Sequence, residues 1–303
     1  MRDTKDITIH DEFSTLRKVI IGLGSPYQRD KAKVAREIQE FPLIPNTDRK
    51  QEVLDLTYPS EEILDREYAE YVAILEKYGV EVLRCDPSAA YSFDYTCPRD
   101  IGFVIGDSFY ISNMSVASRA EEFKTILMHL DSLEARQIIR PPQEAIIEGG
   151  DVILFDEKTV LVGIHQRSNQ NGFEFLEHRL APLGYVVVPV YHSQLHLDCC
   201  LKPLGLGHLL IHPESLADNP ESTWQILKKL EWIQVDSIER EHLATNLLSI
   251  RADTIIARDH PVCARVNQKL KDLGYIVEET AFDGVPATGG SFRCASLVLL
   301  RQS

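Results

Sequence analysis

Four short segments gather the residues whose types and spacing could do chemistry: Arg99-Asp100, Glu148-Gly149-Gly150-Asp151, His196-Leu197-Asp198 and Gly289-Gly290-Ser291-Phe292-Arg293-Cys294. Each sits where an apolar run begins or ends, flanked by proline or small residues. Adjacent glycines beside a nucleophile let backbone approach a substrate closely, and Cys294 opens directly into the apolar run Ala295 to Leu300. A free thiol has a pKa of about 8.5, so a catalytic cysteine needs a cation or an acid/base partner nearby. His196 is the candidate partner. A histidine in that role needs a group that holds its ring, and the glycine-flanked Glu148 can supply it. Asp100 and Asp198 are then left without a role unless the substrate is cationic and flat with several N–H donors. A guanidinium has that form. One carboxylate on each edge of its plane would set its carbon in front of the thiolate.

Plainer readings stand beside these. Cys294 at the head of an apolar run also fits a buried inert thiol, His196 a satisfied core histidine, and Glu148 to Asp151 an ordinary turn with Asp151 as a local cap. Other chemistries lack their motifs. There is no GxSxG elbow and no GxxxxGK[ST] loop, and GLGSPY at Gly22 and GLGHLL at Gly205 lack the third glycine of a dinucleotide fingerprint. No CxxC, zinc-finger or HExxH spacing occurs, so neither metal nor cofactor is expected. Six cysteines are too few for a disulfide framework; the adjacent Cys199 and Cys200 read as packing residues, and Cys97 stands one residue before Pro98-Arg99-Asp100.

The 303 residues carry 32 Lys plus Arg against 46 Asp plus Glu, a formal charge of −14 that disfavours nucleic acid and anionic membrane as partners. With 44% hydrophobic and 26% charged residues, the chain can bury a sizeable core, which excludes disorder, collagen and coiled coil. No apolar run approaches the roughly 18 residues that span a bilayer, and the opening MRDTKDITIHDEF is charged where a secretory leader is apolar. A cytoplasmic protein acting on a small molecule is expected, with oligomeric state left open.

Strands are predicted at Leu16 to Ile21, Val80 to Leu83, Ile101 to Ile111, Val152 to Val162, Tyr185 to Val190, His208 to Ile211, Leu247 to Ile250, Thr254 to Ile256, Tyr275 to Val277 and Ala295 to Leu300. Helical patterns fall between them at Ser60 to Tyr78, Ser118 to Arg136, Gly172 to Leu183, Ser222 to Leu230 and Pro261 to Leu273. No linker divides the chain, so residues 1 to 303 read as one catalytic domain. A helix followed by Leu-Gly-Tyr and a strand occurs twice, at Gly184 and Gly274, with Lys77 to Val82 as a weaker third copy. These junctions fit either a repeated α/β unit or a plain doubly wound sheet. Polar Ser25 to Pro59 reads as a lid or as a surface excursion with a short helix near Ala32 to Glu40.

The segments CPRDIGFVIGD, IEGGDVI, LHLDCCL and GGSFRCASLVL, in this order across residues 97 to 299, resemble the guanidino-group-modifying enzymes: arginine deiminases, dimethylarginine dimethylaminohydrolases and amidinotransferases. The likeness extends back to LRKVIIG and KYGVEV, so it covers nearly the whole chain. It implies a five-bladed α/β propeller of pseudo-repeated units around a central site, the pentein fold. It further implies that Cys294 is the nucleophile, His196 the general acid and base, Glu148 the carboxylate that orients His196, and that Asp100 and Asp198 grip the guanidinium. Val162-Gly163-Ile164-His165-Gln166-Arg167-Ser168-Asn169 resembles the arginine deiminase segment whose Arg binds the substrate carboxylate, which assigns that duty to Arg167, with Arg119 as a second candidate. The implied reaction passes through a covalent thiouronium on cysteine. Asp198 in His-Leu-Asp favours an unmethylated guanidinium, and the compact chain favours water as acceptor, hence a hydrolase of arginine or a related guanidino compound giving a ureido product and ammonia. The alternatives are an amidinotransferase, a methylarginine hydrolase and a non-catalytic guanidinium-binding protein, the last expected to lack Cys294, His196 or Glu148.

Overall fold

The structure, a computed structural model, describes residues 7–24, 59–90, 95–131 and 137–302. The proposed lid therefore lies outside the described residues except for Pro59. Five three-stranded sheets are built from β1 (Thr15–Ile21), β2 (Glu81–Arg84), β3 (Gly102–Ile105), β4 (Ser108–Ile111), β5 (Gln137–Ile139), β6 (Val152–Leu154), β7 (Thr159–Ile164), β8 (Val186–Tyr191), β9 (Leu201–Pro203), β10 (His208–Ile211), β11 (Glu231–Gln234), β12 (Leu248–Arg251), β13 (Thr254–Arg258), β14 (Ile276–Thr280) and β15 (Ser296–Gln302).

Every sheet repeats one plan. A central strand pairs antiparallel with one neighbour and parallel with the other: β4 with β3 and β5, β7 with β6 and β8, β10 with β9 and β11, β13 with β12 and β14, and β1 with β15 and β2. A parallel pair needs a crossover, and a helix supplies each one. These are α1 (Glu61–Lys77), α2 (Leu127–Leu130), α3 (Gln170–Leu180), α4 (Glu221–Leu227) and, after α5 (Ser237–Glu241) between two sheets, α6 (Ala264–Asp272). The molecule is thus a five-bladed α/β propeller, and no described sheet widens into the doubly wound alternative. Its ring closes where β15 pairs with β1, from Thr15 opposite Gln302 to Ile21 opposite Ser296.

Local chemistry explains where elements start and stop. Gly79, Gly184 and Gly274 take left-handed φ of 74°, 82° and 92°, and each releases the chain from a helix toward an outer strand. Two runs read as single strands, Ile101 to Ile111 and Val152 to Val162, are hairpins. Gly106 at φ 60° turns the first, while Asp156 turns the second by accepting from the N–H groups of Lys158 and Thr159. The predicted helix Ser118 to Arg136 instead breaks into 3-10 turns at Ala117–Arg119 and Glu122–Ile126 followed by α2. Its side chains supply the reason: Arg119 turns inward to Asp100 and Glu122, and Thr125 bonds back to the Glu122 carbonyl. Residues 132–136 of that prediction lie outside the described residues. Strands β5, β9 and β11, of sequence QII, LKP and EWIQ, are too short and too polar to show in the pattern. No helix among the described residues is long and apolar enough to cross a membrane.

Where the first strands of the five blades converge, the interior is charged. Glu12, from the segment before β1, accepts from Arg293 Nε at 3.1 Å, Arg293 Nη2 at 2.8 Å and Lys202 Nζ at 2.7 Å. Arg293 also donates to Asp198 Oδ2 at 2.7 Å and to the Val152 carbonyl at 2.9 Å. Arg99 reaches the same carbonyl at 2.8 Å and the Gly149 carbonyl at 2.9 Å. Burial opposes charge on Glu12, but Arg293 and Lys202 outweigh it and hold the carboxyl well below its usual range. Burial also pushes Lys202 down to about 8.

Since the folded pKa of Glu12 is depressed, its contribution is fully present above the unfolded value of about 4.3 and is lost as pH falls through the folded value. Glu12→Gln leaves Arg293 and Lys202 buried without their counter-charge and is expected to cost about 3 kcal/mol at neutral pH. In urea titrations the gap to wild type should narrow as pH falls, because wild type progressively loses its carboxylate. A gap constant with pH would contradict this account.

Candidate active site

Each blade delivers one turn to the same end of the axis, just before its first strand. Asp100 lies in the 3-10 turn Pro98–Ile101 before β3, and Glu148 precedes the turn Gly149–Asp151 before β6. His196 and Asp198 flank Leu197 before β9, Asn246 stands two residues before β12, and Cys294 two before β15. The turns are bonded to one another. Arg99 N–H donates to the Cys294 carbonyl at 3.1 Å, Leu197 N–H to Asp151 Oδ1 at 2.8 Å, and Thr245 Oγ1 to the Cys199 carbonyl at 2.7 Å. The glycines of these motifs are gaps that neighbours fill. A Cβ on Gly150 would lie 2.5 Å from the His196 ring, and one on Gly290 would lie 2.5 Å from Cys97 Sγ and 2.8 Å from Cys294 Cβ.

Cys294 is 2% exposed. Asn246 Nδ2 donates to its Sγ at 3.1 Å, and the Asp198 oxygens lie at 3.6 and 3.7 Å. Hydrogen bonds from the Cys199 and Cys97 thiols, together with the charge of His196, hold the Cys294 thiol well below its usual value against the opposing effect of burial. A thiolate is the form this environment favours.

His196 gives Nε2 to Glu148 Oε2 at 2.9 Å, while its Nδ1 lies 3.7 Å from Asp100 Oδ1. Burial disfavours the imidazolium, but Asp100, Asp151 and Glu148 overcome it and raise the group to about 10. Glu148 is fully committed. Its Oε1 accepts from the Ser115 N–H and hydroxyl, both at 2.8 Å, and its Oε2 from His196 and from Arg167 Nη1 at 3.2 Å. Burial works against its charge; Arg167 and His196 nevertheless keep it ionised, far below the usual carboxylate range. Asp151 is a joint between segments rather than a local cap: one oxygen holds Leu197 N–H, and the other accepts from Ser168 Oγ at 2.7 Å. Asp100, Glu148 and His196 offer ligand atoms within 4.8 Å of one another, a spacing that a cation could use. Arg119 and Arg167 already occupy those carboxylates, so the donor set suits proton handling better.

Asp100 and Asp198 differ in how they are held. Asp100 binds Arg119 through Oδ2 at 2.8 Å and leaves Oδ1 without a hydrogen bond. Burial pushes its pKa up, opposed by His196 and Arg119. Asp198 is anchored by Arg293, and burial with the adjacent Cys294 raises it to about 7. All three nitrogens of Arg119 make bonds, to Glu122, Asp100 and the Cys97 carbonyl, so it holds Asp100 in place from the side away from its Oδ1. Arg167 is buried with Nη1 on Glu148.

Sequence reasoning missed Asn246, Arg293, Ser115 and Glu12. Arg293 lay inside a motif already singled out, yet its charge had no assigned partner. Asn246 carries no local signal, since Thr-Asn-Leu-Leu-Ser reads as the start of a strand; its position in the repeat, ahead of the first strand of its blade, is the signal that could have found it.

Comparison with known proteins identifies the family and the fold. The family model described as "N,N dimethylarginine dimethylhydrolase, eukaryotic" matches residues 46–301. The uncharacterised protein YkgA of Bacillus subtilis (strain 168) is 32% identical over 237 residues, 78% of this chain and 79% of its own. Among solved structures, SxtG, an amidinotransferase from Microseira wollei, superimposes with a TM-score of 0.76 at 20% identity over 98% of both chains. The DDAH from Pseudomonas aeruginosa superimposes at 0.72 and 16% identity, over 94% of this chain and all of that one. The two solved structures share the fold, and the family match assigns the sequence: the chain belongs to the N,N dimethylarginine dimethylhydrolase family, within the guanidino-modifying pentein superfamily.

Proposed function

We propose that this protein hydrolyses the guanidino group of arginine or a closely related free guanidino compound through a covalent adduct on Cys294. The observation that carries the reading is a pair of buried polar atoms with no hydrogen-bond partner among the described residues, Asp100 Oδ1 and His196 Nδ1, in the cluster around Cys294. A free acceptor beside a free donor fits a substrate whose N–H groups point at one and whose departing nitrogen needs a proton from the other.

Asp100 Oδ1 takes one edge of the guanidinium and Asp198, beside the sulfur, takes another, which aligns the carbon with the thiolate. Sγ bonds to that carbon. The C–N bond breaks as His196 passes its Nδ1 proton to the leaving nitrogen, and the product is a thiouronium on Cys294. The neutral imidazole then accepts a proton from water, whose oxygen attacks the same carbon; the C–S bond breaks, restoring the thiolate, and the new hydroxyl gives its proton to the released ammonia or solvent, leaving the neutral ureido product and ammonium. Glu148 stabilises the imidazolium at both ends of this cycle, and Ser115 and Arg167 keep Glu148 ionised and oriented. Arg167 is the proposed partner of a substrate carboxylate.

Two features bear on the substrate. Two carboxylates beside one thiol favour N–H groups over methyl groups, hence an unmethylated guanidinium. The description of the matching family favours a methylated one, which makes methylarginine the second reading, and both are hydrolyses. Purified protein is to be incubated with arginine and with dimethylarginine, each alone and with glycine, and products followed by mass spectrometry. Citrulline with ammonia from arginine, without an acceptor, is the expected result. Citrulline with dimethylamine only would select the second reading, and a new guanidino compound formed only with glycine would replace hydrolysis by amidino transfer.

Cys294→Ala is expected to lower kcat by roughly 10⁴-fold or more with the unfolding midpoint little changed. Turnover by that variant near the wild-type rate would remove Cys294 from the mechanism.

The pH profile follows from two groups. Asp198, near 7, must be ionised to receive a cation, and His196, near 10, must be protonated to donate. For the free enzyme, kcat/KM should rise through about 7 and fall through about 10. Asp198→Asn should remove the acid limb from whatever activity remains. A wild-type profile flat across both values would contradict the assignment.

A further inference from the structure

Four of the five axial turns have roles in the reaction above, and the fifth carries Asn246. It is fully buried, and all its side-chain atoms are committed around the nucleophile. Its Oδ1 accepts from the backbone N–H of Ser291 at 3.2 Å and of Cys294 at 3.1 Å. Its Nδ2 donates to Cys294 Sγ at 3.1 Å and to the Asp198 carbonyl at 3.3 Å. Two N–H donors on one end fix which end of the amide is oxygen, so the nitrogen must face the sulfur. The backbone that aims it is strained: Leu243 takes a left-handed φ of 59°, and Asn246 N–H bonds back to its carbonyl at 2.9 Å.

We propose that Asn246 is a catalytic residue, donating its side-chain N–H to Cys294 Sγ so that the sulfur is held as an acceptor and aimed at the substrate carbon, while its oxygen withdraws the N–H groups of Ser291 and Cys294 from the site. This rests on the reading of Cys294 as the nucleophile toward a guanidinium. The second half of the role follows from the charge of such a substrate. In acyl transfer, N–H groups beside the nucleophile receive a developing oxyanion. A guanidinium is already positive and develops no oxyanion on attack, so N–H dipoles left pointing at it would repel it. Asn246 Oδ1 turns two of them away.

The test reads the thiol without requiring turnover. Iodoacetamide alkylation of Cys294 is followed by mass spectrometry of its peptide across pH, for wild type, Asn246→Asp and Asn246→Ala, with thermal unfolding as a check on folding. Asn246→Asp is nearly isosteric and keeps the acceptor for both N–H groups but replaces the amide donor by a carboxylate, whose charge itself raises the thiol midpoint; Asn246→Ala loses both functions without adding charge, so a rise in Asn246→Ala is the required result. Removing one hydrogen bond to a charged group should raise the midpoint of alkylation by about one pH unit in both variants, that is, about tenfold less thiolate at pH values below the midpoint. A midpoint raised in Asn246→Ala but not in Asn246→Asp would overturn the donor role and leave only the backbone lock. Midpoints unchanged in both would overturn the proposal entirely. Should Asn246→Ala fail to fold, the neutral and nearly isosteric Asn246→Leu takes its place, since it removes the donor without adding a charge beside the sulfur. A raised midpoint in a protein that turns over no guanidino compound would uphold the role of Asn246 and reject the substrate instead.

Discussion

The contact on which the rest depends is the buried guanidinium of Arg293, held between Glu12 and Asp198 and bonded to the Val152 carbonyl. It unites the segment before β1, the turn before β9, the start of β6 and the turn before β15. Charges withdrawn from water are costly unless every one is paired and hydrogen-bonded, so this group leaves little freedom in how the blades meet. The same guanidinium holds Asp198 beside Cys294. Site and scaffold therefore share one set of bonds, and Lys202 and Arg99 complete it by bringing in β9 and the turn before β3.

Around that centre the charges alternate. Cys294 faces a cation, His196; His196 is bracketed by Glu148 and Asp100; and those carboxylates are held by Arg167 and Arg119. Each group suppresses proton gain or loss in its neighbour, which is how a thiol and an imidazole are displaced in opposite directions within one small volume. Glu122 extends the series by holding Arg119, and it does so at the expense of the helix predicted there.

Legibility from sequence followed the physics of each level. Apolar runs and glycine stops made ten strand regions and most helices readable, since burial and left-handed φ leave marks in residue type. The edge strands β5 and β9 left none, because three residues cannot show a period. Segments rich in glycine and acid marked Asp100, Glu148, His196, Asp198 and Cys294, and the structure brings these together. Asn246 and Glu12 were invisible because their meaning lies wholly in partners far along the chain. The partners of Arg119 were hidden for the same reason: a loop arginine announces its charge, and only the fold reveals that Asp100 and Glu122 pair with it.

The β1 and β15 pairing has a consequence for biogenesis. The strand that completes the first sheet lies beyond all fourteen others, and Arg293 meets Glu12 across 281 positions. On the ribosome, Glu12 and Asp198 have no shared cation until Arg293 has emerged, and the first blade has no antiparallel partner until β15 follows it. Loop closure of that length must come before its reward, which makes late steps of folding slow and highly cooperative. Chains cut short of Arg293 would leave Asp198 without its buried ion pair and Glu12 with only Lys202 and Arg99, so incomplete chains would lack the contact that ties the blades together.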